Sequence, residues 1–214
     1  MGAFAVTAKS NGELDWGVAA RPLPGEELCG DKHFVARTAT GWLLAVADGL
    51  GHGPEAAVAS KALVEVLQQH SDQTPVELIR LGHDALRNTR GCAATIVVID
   101  RSRCLLSWVG VGNVEGVLRH ASAVPPDFIT LRGGIVGYRL PAVQPSSLPL
   151  SDGDILILAT DGIDSDFARV SLPAHPPGLL AAAILDRYAK PTDDALALVA
   201  RWHLPFTQQG GQPS

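Results

Sequence analysis

The chain has 214 residues, enough to bury one substantial core, and 46% of them are hydrophobic. Its 22 acidic and 17 basic side chains leave a formal charge of −5 without a basic stripe, which excludes a nucleic-acid binder. No apolar run reaches the roughly 18 residues of a membrane span, no basic leader opens the chain, and Cys29, Cys92 and Cys104 lack metal-binding spacing. The expectation is a cytoplasmic protein with reduced, buried thiols and neither membrane nor nucleic-acid partners.

In chain order, residues 3–8 and 16–21 read as short strands around the turn formers Ser10, Asn11 and Gly12. Residues 32–37 and 42–47 form a hairpin through Thr40 and Gly41 that leads into Asp48. Gly53 and Pro54 open a helix, with Ala59, Ala62, Leu63, Val66 and Leu67 on one face. A second helix starts at Thr74-Pro75, with Glu77 at the capping-box position. Leu78, Leu81, Ala85 and Leu86 form its apolar side, and Gly91 ends it. Strands follow over 92–99, 105–111 and 114–119, separated by turn residues 100–103 and by Gly112-Asn113. An irregular stretch containing Pro125-Pro126, Gly133-Gly134 and Pro141 leads to a buried strand over 154–159, which ends at Thr160-Asp161-Gly162. A helix over 178–188 and an apolar strand over 195–200 complete the pattern, and residues 207–214 read as a disordered tail. Strand runs with inserted helices point to two sheets packed face to face with helices outside.

Three segments repeat one theme, an acid at the end of an apolar strand. LLAVADGLGHG places Asp48 and Gly49 where a strand emerges, DILILATDG does the same for Asp161, and in PTDDALALVA Asp193 and Asp194 precede a strand. Desolvating an unpaired carboxylate costs several kcal/mol, so acids gathered along one sheet edge call for a compensating cation. Hard oxygen ligands suit Mg²⁺ or Mn²⁺, and glycine after Asp48 allows a sharp turn that exposes its carbonyl as a further ligand. Two such ions about 3.5–4 Å apart make a nucleophile of water near neutral pH and clamp phosphoryl oxygens during in-line attack. The GLGHG loop lacks the P-loop GK[ST] and the GxGxxG spacing, so it reads as a turn shaping the site. His52 fits either a loop hydrogen bond or proton transfer. Thr95 and Asn113 are either supports for the ligands or ordinary strand and turn residues.

In order and context, ADGLGHG, ATDGI and TDDALALV resemble the signature segments of the PPM family of metal-dependent, type 2C-like protein serine/threonine phosphatases. DGLGHG resembles its SpoIIE-like branch, and the short length resembles that branch's stressosome phosphatases. The likeness covers about residues 16–201 and includes GDKHFV, GCAATIVVID, VGVGNVEGVL and GGIVGY. It implies an α+β fold, a four-layer α-β-β-α sandwich of two mainly antiparallel sheets flanked by helices, in one domain over 1–206. It also implies two Mn²⁺ or Mg²⁺ ions as cofactors.

By motif position, Asp48 bridges both ions, the Gly49 carbonyl binds one, and Asp161 and Asp193 hold the other. Asp31 matches an acid that acts on a metal through water, so Asp31 and Asp48 are the expected catalytic pair. Asp193 is preferred to Asp194 because the first acid of the pair is the family's ligand. The arginine that grips phosphate in the eukaryotic branch has no clear counterpart, although Arg21 lies near in sequence, and the segment before DILILATDG is short for a flap. The implied activity is hydrolysis of phosphoserine and phosphothreonine by a metal-activated water, on phosphorylated STAS-domain stressosome proteins, by a monomer. The alternative is a catalytically silent module of the same fold that docks on a signalling partner. Intact acids argue against it.

Overall fold

The structure is a computed structural model that describes residues 5–10, 12–169 and 175–204. Its strands are β1 (Ala5–Ser10), β2 (Leu14–Arg21), β3 (Asp31–Arg37), β4 (Gly41–Gly49), β5 (Cys92–Asp100), β6 (Leu105–Val111), β7 (Glu115–Arg119), β8 (Asp127–Phe128), β9 (Leu131–Arg132), β10 (Ser146–Pro149), β11 (Ile155–Ala159) and β12 (Ala195–Trp202). The helices are α1 (Gly53–Gln69), α2 (Pro75–Ala85) and α3 (Pro177–Tyr188), with a 3-10 turn at Ser165–Ala168.

One sheet runs β1-β2-β12-β11-β7-β8 and the other β10-β6-β5-β4-β3, with β9 joining β6 in parallel. Every other pairing is antiparallel. Side chains alternate across a strand, and here both faces of the central strands are apolar. Along β4, Trp42, Leu44 and Val46 enter the core between the sheets, where they meet Leu196, Leu198 and Trp202 of β12. The alternate residues Leu43, Ala45 and Ala47 face Leu63 and Leu67 of α1 and Leu78 and Ile79 of α2. On the opposite outer face, Ala197 and Val199 of β12 pack with Leu180, Ile184 and Leu185 of α3. Three apolar layers thus separate four structural layers, the α-β-β-α order expected.

Local expectations meet mixed outcomes. Thr74 and Glu77 form the complete capping box at α2, and Pro54 sits in the first turn of α1. The buried side of α2 differs, being Leu78, Ile79 and Gly82 followed by Leu86, whereas Leu81 and Ala85 face solvent. Helix α2 ends at Ala85, well short of Gly91, whose φ of +80° instead serves the entry to β5. The Gly112-Asn113 turn carries the chain from one sheet to the other, since β6 and β7 belong to different sheets. The irregular stretch hides β8, β9 and β10, which are too short to show a period of two. Cys92 is buried as expected, but Cys29 and Cys104 are only partly covered; all three are free. Among the described residues no helix is long and apolar enough to cross a membrane. Asn11 and the proposed tail lie outside the described residues.

Candidate metal centre

The β3–β4 register sets Asp31 directly opposite Asp48. Both continue the inward-facing rows of their strands, since Asp48 lies two residues beyond Val46 and Asp31 four before Val35. In the facing sheet, β11 pairs antiparallel with β12, so the residues after Ala159 lie beside those before Ala195. Thr160 extends the inward row of Leu156 and Leu158, and its Oγ1 donates to Asp31 Oδ2 at 2.7 Å while accepting the Leu196 N–H at 2.9 Å. That bond joins the two sheets at the rim of their shared core. Asp48 hydrogen-bonds Asp161, whose Oδ2 accepts from Asn113 Nδ2 at 2.6 Å. Lys190 Nζ donates to the backbone carbonyl of Asp161 at 2.7 Å.

Crowding of like charge at a half-dry rim has the expected electrostatic result. Burial pushes the Asp48 carboxyl up to about 9, and the charges of Asp31, Asp161 and Asp193 add to the shift. Burial likewise raises Asp31 to about 8; the Thr160 hydroxyl opposes this, and Asp194, Asp193 and Asp161 reinforce it. Asp193 is raised by burial, against the N–H of Asp194 that bonds its Oδ1 at 2.8 Å. The four acids expected from sequence, Asp31, Asp48, Asp161 and Asp193, therefore share one electrostatic neighbourhood.

Among the described residues, no group of three or more His, Cys, Asp or Glu side chains stands ready-made to hold a metal ion. Asp48 instead pairs with Asp161, a carboxyl–carboxyl contact that requires a retained proton, while Asp31 Oδ2 is occupied by the Thr160 hydroxyl, which donates to it. A divalent cation stabilises the ionised form of such a set, so the donor chemistry fits hard, oxygen-loving ions.

Gly49 is buried at the end of β4, but the reason for glycine is not a sharp turn, because positive φ falls at Gly51 and Gly53. A Cβ on Gly49 would lie 2.0 Å from the Ala56 carbonyl oxygen, so glycine is what lets α1 close on β4. His52 bonds Glu26 Oε1 through Nδ1 at 2.8 Å, making the loop contact. Asn113 does touch an acid of the cluster, whereas Thr95 donates to the Val114 carbonyl at 2.7 Å and supports the backbone instead. Arg21 reaches the Lys190 carbonyl at 2.7 Å. Sequence reasoning missed Thr160, Lys190 and the role of Asp194. The position of Thr160 in ATDG, two residues along the inward row from Leu158, was the one available signal.

The chain matches the model of the family described as Stage II sporulation protein E (SpoIIE) over residues 38–203. It is 26% identical over 140 residues to the phosphoserine phosphatase RsbX of Bacillus subtilis (strain 168), spanning 65% of this chain and 70% of that protein. A crystal structure of RsbX in complex with magnesium shares the fold, with a TM-score of 0.83 at 22% identity over 92% of this chain and 100% of that one. A structure described as the bacterial stressosome, a modular system adapted to control secondary messenger signaling, aligns with a TM-score of 0.80 at 29% identity, over 88% of this chain and 100% of that one.

Proposed function

Since the chain belongs to the SpoIIE family of PP2C-type protein phosphatase domains, we propose that it hydrolyses phosphoserine and phosphothreonine on a signalling partner with the help of two Mn²⁺ or Mg²⁺ ions. Residues 1–206 form the phosphatase domain in this reading, supported by a core between the sheets that draws on both ends of the described chain, from Leu14 to Trp202. The observation that carries the reading is the meeting of Asp31 and Asp48 from one sheet with Asp161 and Asp193 from the other.

Asp31, Asp48, Asp161, Asp193 and the Gly49 carbonyl would hold the ions. When bound, the ions supply positive charge that ionises water near neutral pH and neutralises the phosphoryl oxygens. The chain's own groups set the geometry. Thr160 occupies Asp31 Oδ2, which leaves Oδ1 to take a proton from the attacking water. Asn113 fixes Asp161 from the flank, and Lys190 fixes its backbone, so the carboxylate is presented without a search over rotamers. His52 acts by holding the mouth through Glu26.

Similarity to a phosphoserine phosphatase and to a stressosome structure supports a partner within stressosome signalling. Phosphorylated STAS-domain proteins of a stressosome are the substrates this favours. The test is hydrolysis of p-nitrophenyl phosphate and of a phosphoserine STAS-domain protein with Mn²⁺, compared with Asp48→Asn and with chelated protein. The reading expects a loss of at least about a hundredfold in both cases. Equal rates for wild type and Asp48→Asn would remove it.

A further inference from the structure

Asp194 stands outside the ligand set, yet it is only 4% exposed and both of its carboxylate oxygens are in use. Oδ1 accepts the N–H of Leu23 at 2.8 Å, and Oδ2 accepts the N–H of Gly30 at 2.8 Å. Leu23 and Gly30 lie at the two ends of the loop between β2 and β3, so one buried carboxylate closes the loop by bridging more than 160 residues of chain. A buried charge persists where such donors satisfy its lone pairs, and removal of the acceptor leaves both donors orphaned.

The loop's two functional contacts follow from that closure. Gly30 directly precedes Asp31 and accepts the Gly49 N–H through its carbonyl at 3.3 Å, which ties the entry of β3 to the end of β4. Earlier in the loop, Glu26 folds back so that its N–H reaches the Leu23 carbonyl at 2.9 Å, and its carboxylate bonds His52. The fit at Gly30 is tight, because a Cβ there would lie 2.8 Å from Asp194 Oδ2 and 2.8 Å from the Ala56 side chain. Asp193 and Asp194, adjacent in sequence, thus point to different tasks. Asp193 joins the acids of the rim, whereas Asp194 holds backbone.

We propose that Asp194 is a positioning residue, not a cation ligand: by tying both ends of loop 22–30 it aims Asp31 at Asp48 and keeps Glu26 on His52. This rests on the metal-dependent reading above. Two variants reach the same carboxylate from opposite sides. Asp194→Asn replaces one of the two acceptor oxygens with an NH2 group, which donates and cannot accept an N–H, and Gly30→Ala pushes the carboxylate away without altering charge.

Calorimetric titration with Mn²⁺ and amide exchange of the metal-free protein provide the readouts. Both variants are expected to bind as many ions per chain as wild type, about tenfold more weakly, with faster exchange at Leu23 and Gly30. Asp193→Asn, in contrast, is expected to bind fewer ions. Loss of an ion in Asp194→Asn would make Asp194 a ligand and overturn the proposal, as would wild-type affinity together with wild-type exchange at those two amides. If one variant fails to fold, the other decides. Wild-type protein that binds no Mn²⁺ would defeat the underlying reading itself, before any variant is compared.

Discussion

At the scale of single residues, the acids of the rim act as a stored electrostatic cost. Asp31 and Asp48 have folded-state values of about 8 and about 9, against an ordinary 3.8. The folded protein therefore keeps protons that the unfolded chain has already released, so the unfolded state binds fewer protons between these values. Linkage then makes the stability of metal-free protein fall as pH rises through that window, the reverse of the usual salt-bridged carboxylate. Thermal unfolding in chelator is expected to occur at a lower temperature at about pH 8.5 than at about pH 5.5, and Asp48→Asn is expected to flatten the difference. Added Mn²⁺ should stabilise the protein more at the higher pH, where the carboxylates ionise to receive it. A melting temperature that rises with pH in chelator would contradict the burial and repulsion assigned to this pair. Asp48, Asp161 and Asp193 were legible in the sequence because each stands at the end of an apolar run, whereas Asp31 in GDKHFV was reached only through the family resemblance. Thr160 was not, because a hydroxyl at a strand end has many uses and only its partner, 129 residues away, selects one.

At the scale of elements, the closeness of α1 to β4 depends on an absent side chain. Gly49 is buried against the Ala56 backbone of α1, and a Cβ would collide with the Ala56 carbonyl oxygen. Gly49→Ala is expected to cost about 3 kcal/mol, because helix or strand must move to admit one methyl group. Urea unfolding of the metal-free protein measures this. Gly133→Ala serves as the control, since a Cβ there meets nothing within 4 Å and it is not among the positive-φ glycines. Equal midpoints for the two variants would remove the close-approach account. Helices α1 and α2 announced themselves through proline, the capping box and periodic apolar residues, all of which are local. The buried side of α2 was misjudged at Leu81 and Ala85, because two nearby apolar stripes satisfy the same spacing and only the neighbouring sheet chooses between them.

At the scale of the whole molecule, the site exists only where two sheets meet. Asp31 and Asp48 belong to one sheet, while Asp161 and Asp193 lie at strand ends of the other. The apolar layer of Leu44, Val46, Leu196 and Leu198 directly beneath sets their separation. Leu198→Ala is expected to destabilise the fold by roughly 2–5 kcal/mol through the cavity it leaves. It should also weaken Mn²⁺ binding in protein that is still fully folded, because the sheets relax toward the void. Denaturant unfolding and calorimetry on the same preparation separate the two effects. Lost stability with unchanged affinity would show that the rim is held by its hydrogen bonds alone.

The amino-acid order was enough to determine the strand ends that carry acids, the helix starts and the two-sheet class, because these depend on near neighbours and on the period of apolar residues. Only the tertiary structure decided that β6 and β7 part into different sheets, that Thr160 bridges to Asp31, and that Asp194 closes a loop. Those outcomes are set by register and by contacts between residues distant in sequence, whose energies exist only once the sheets have packed.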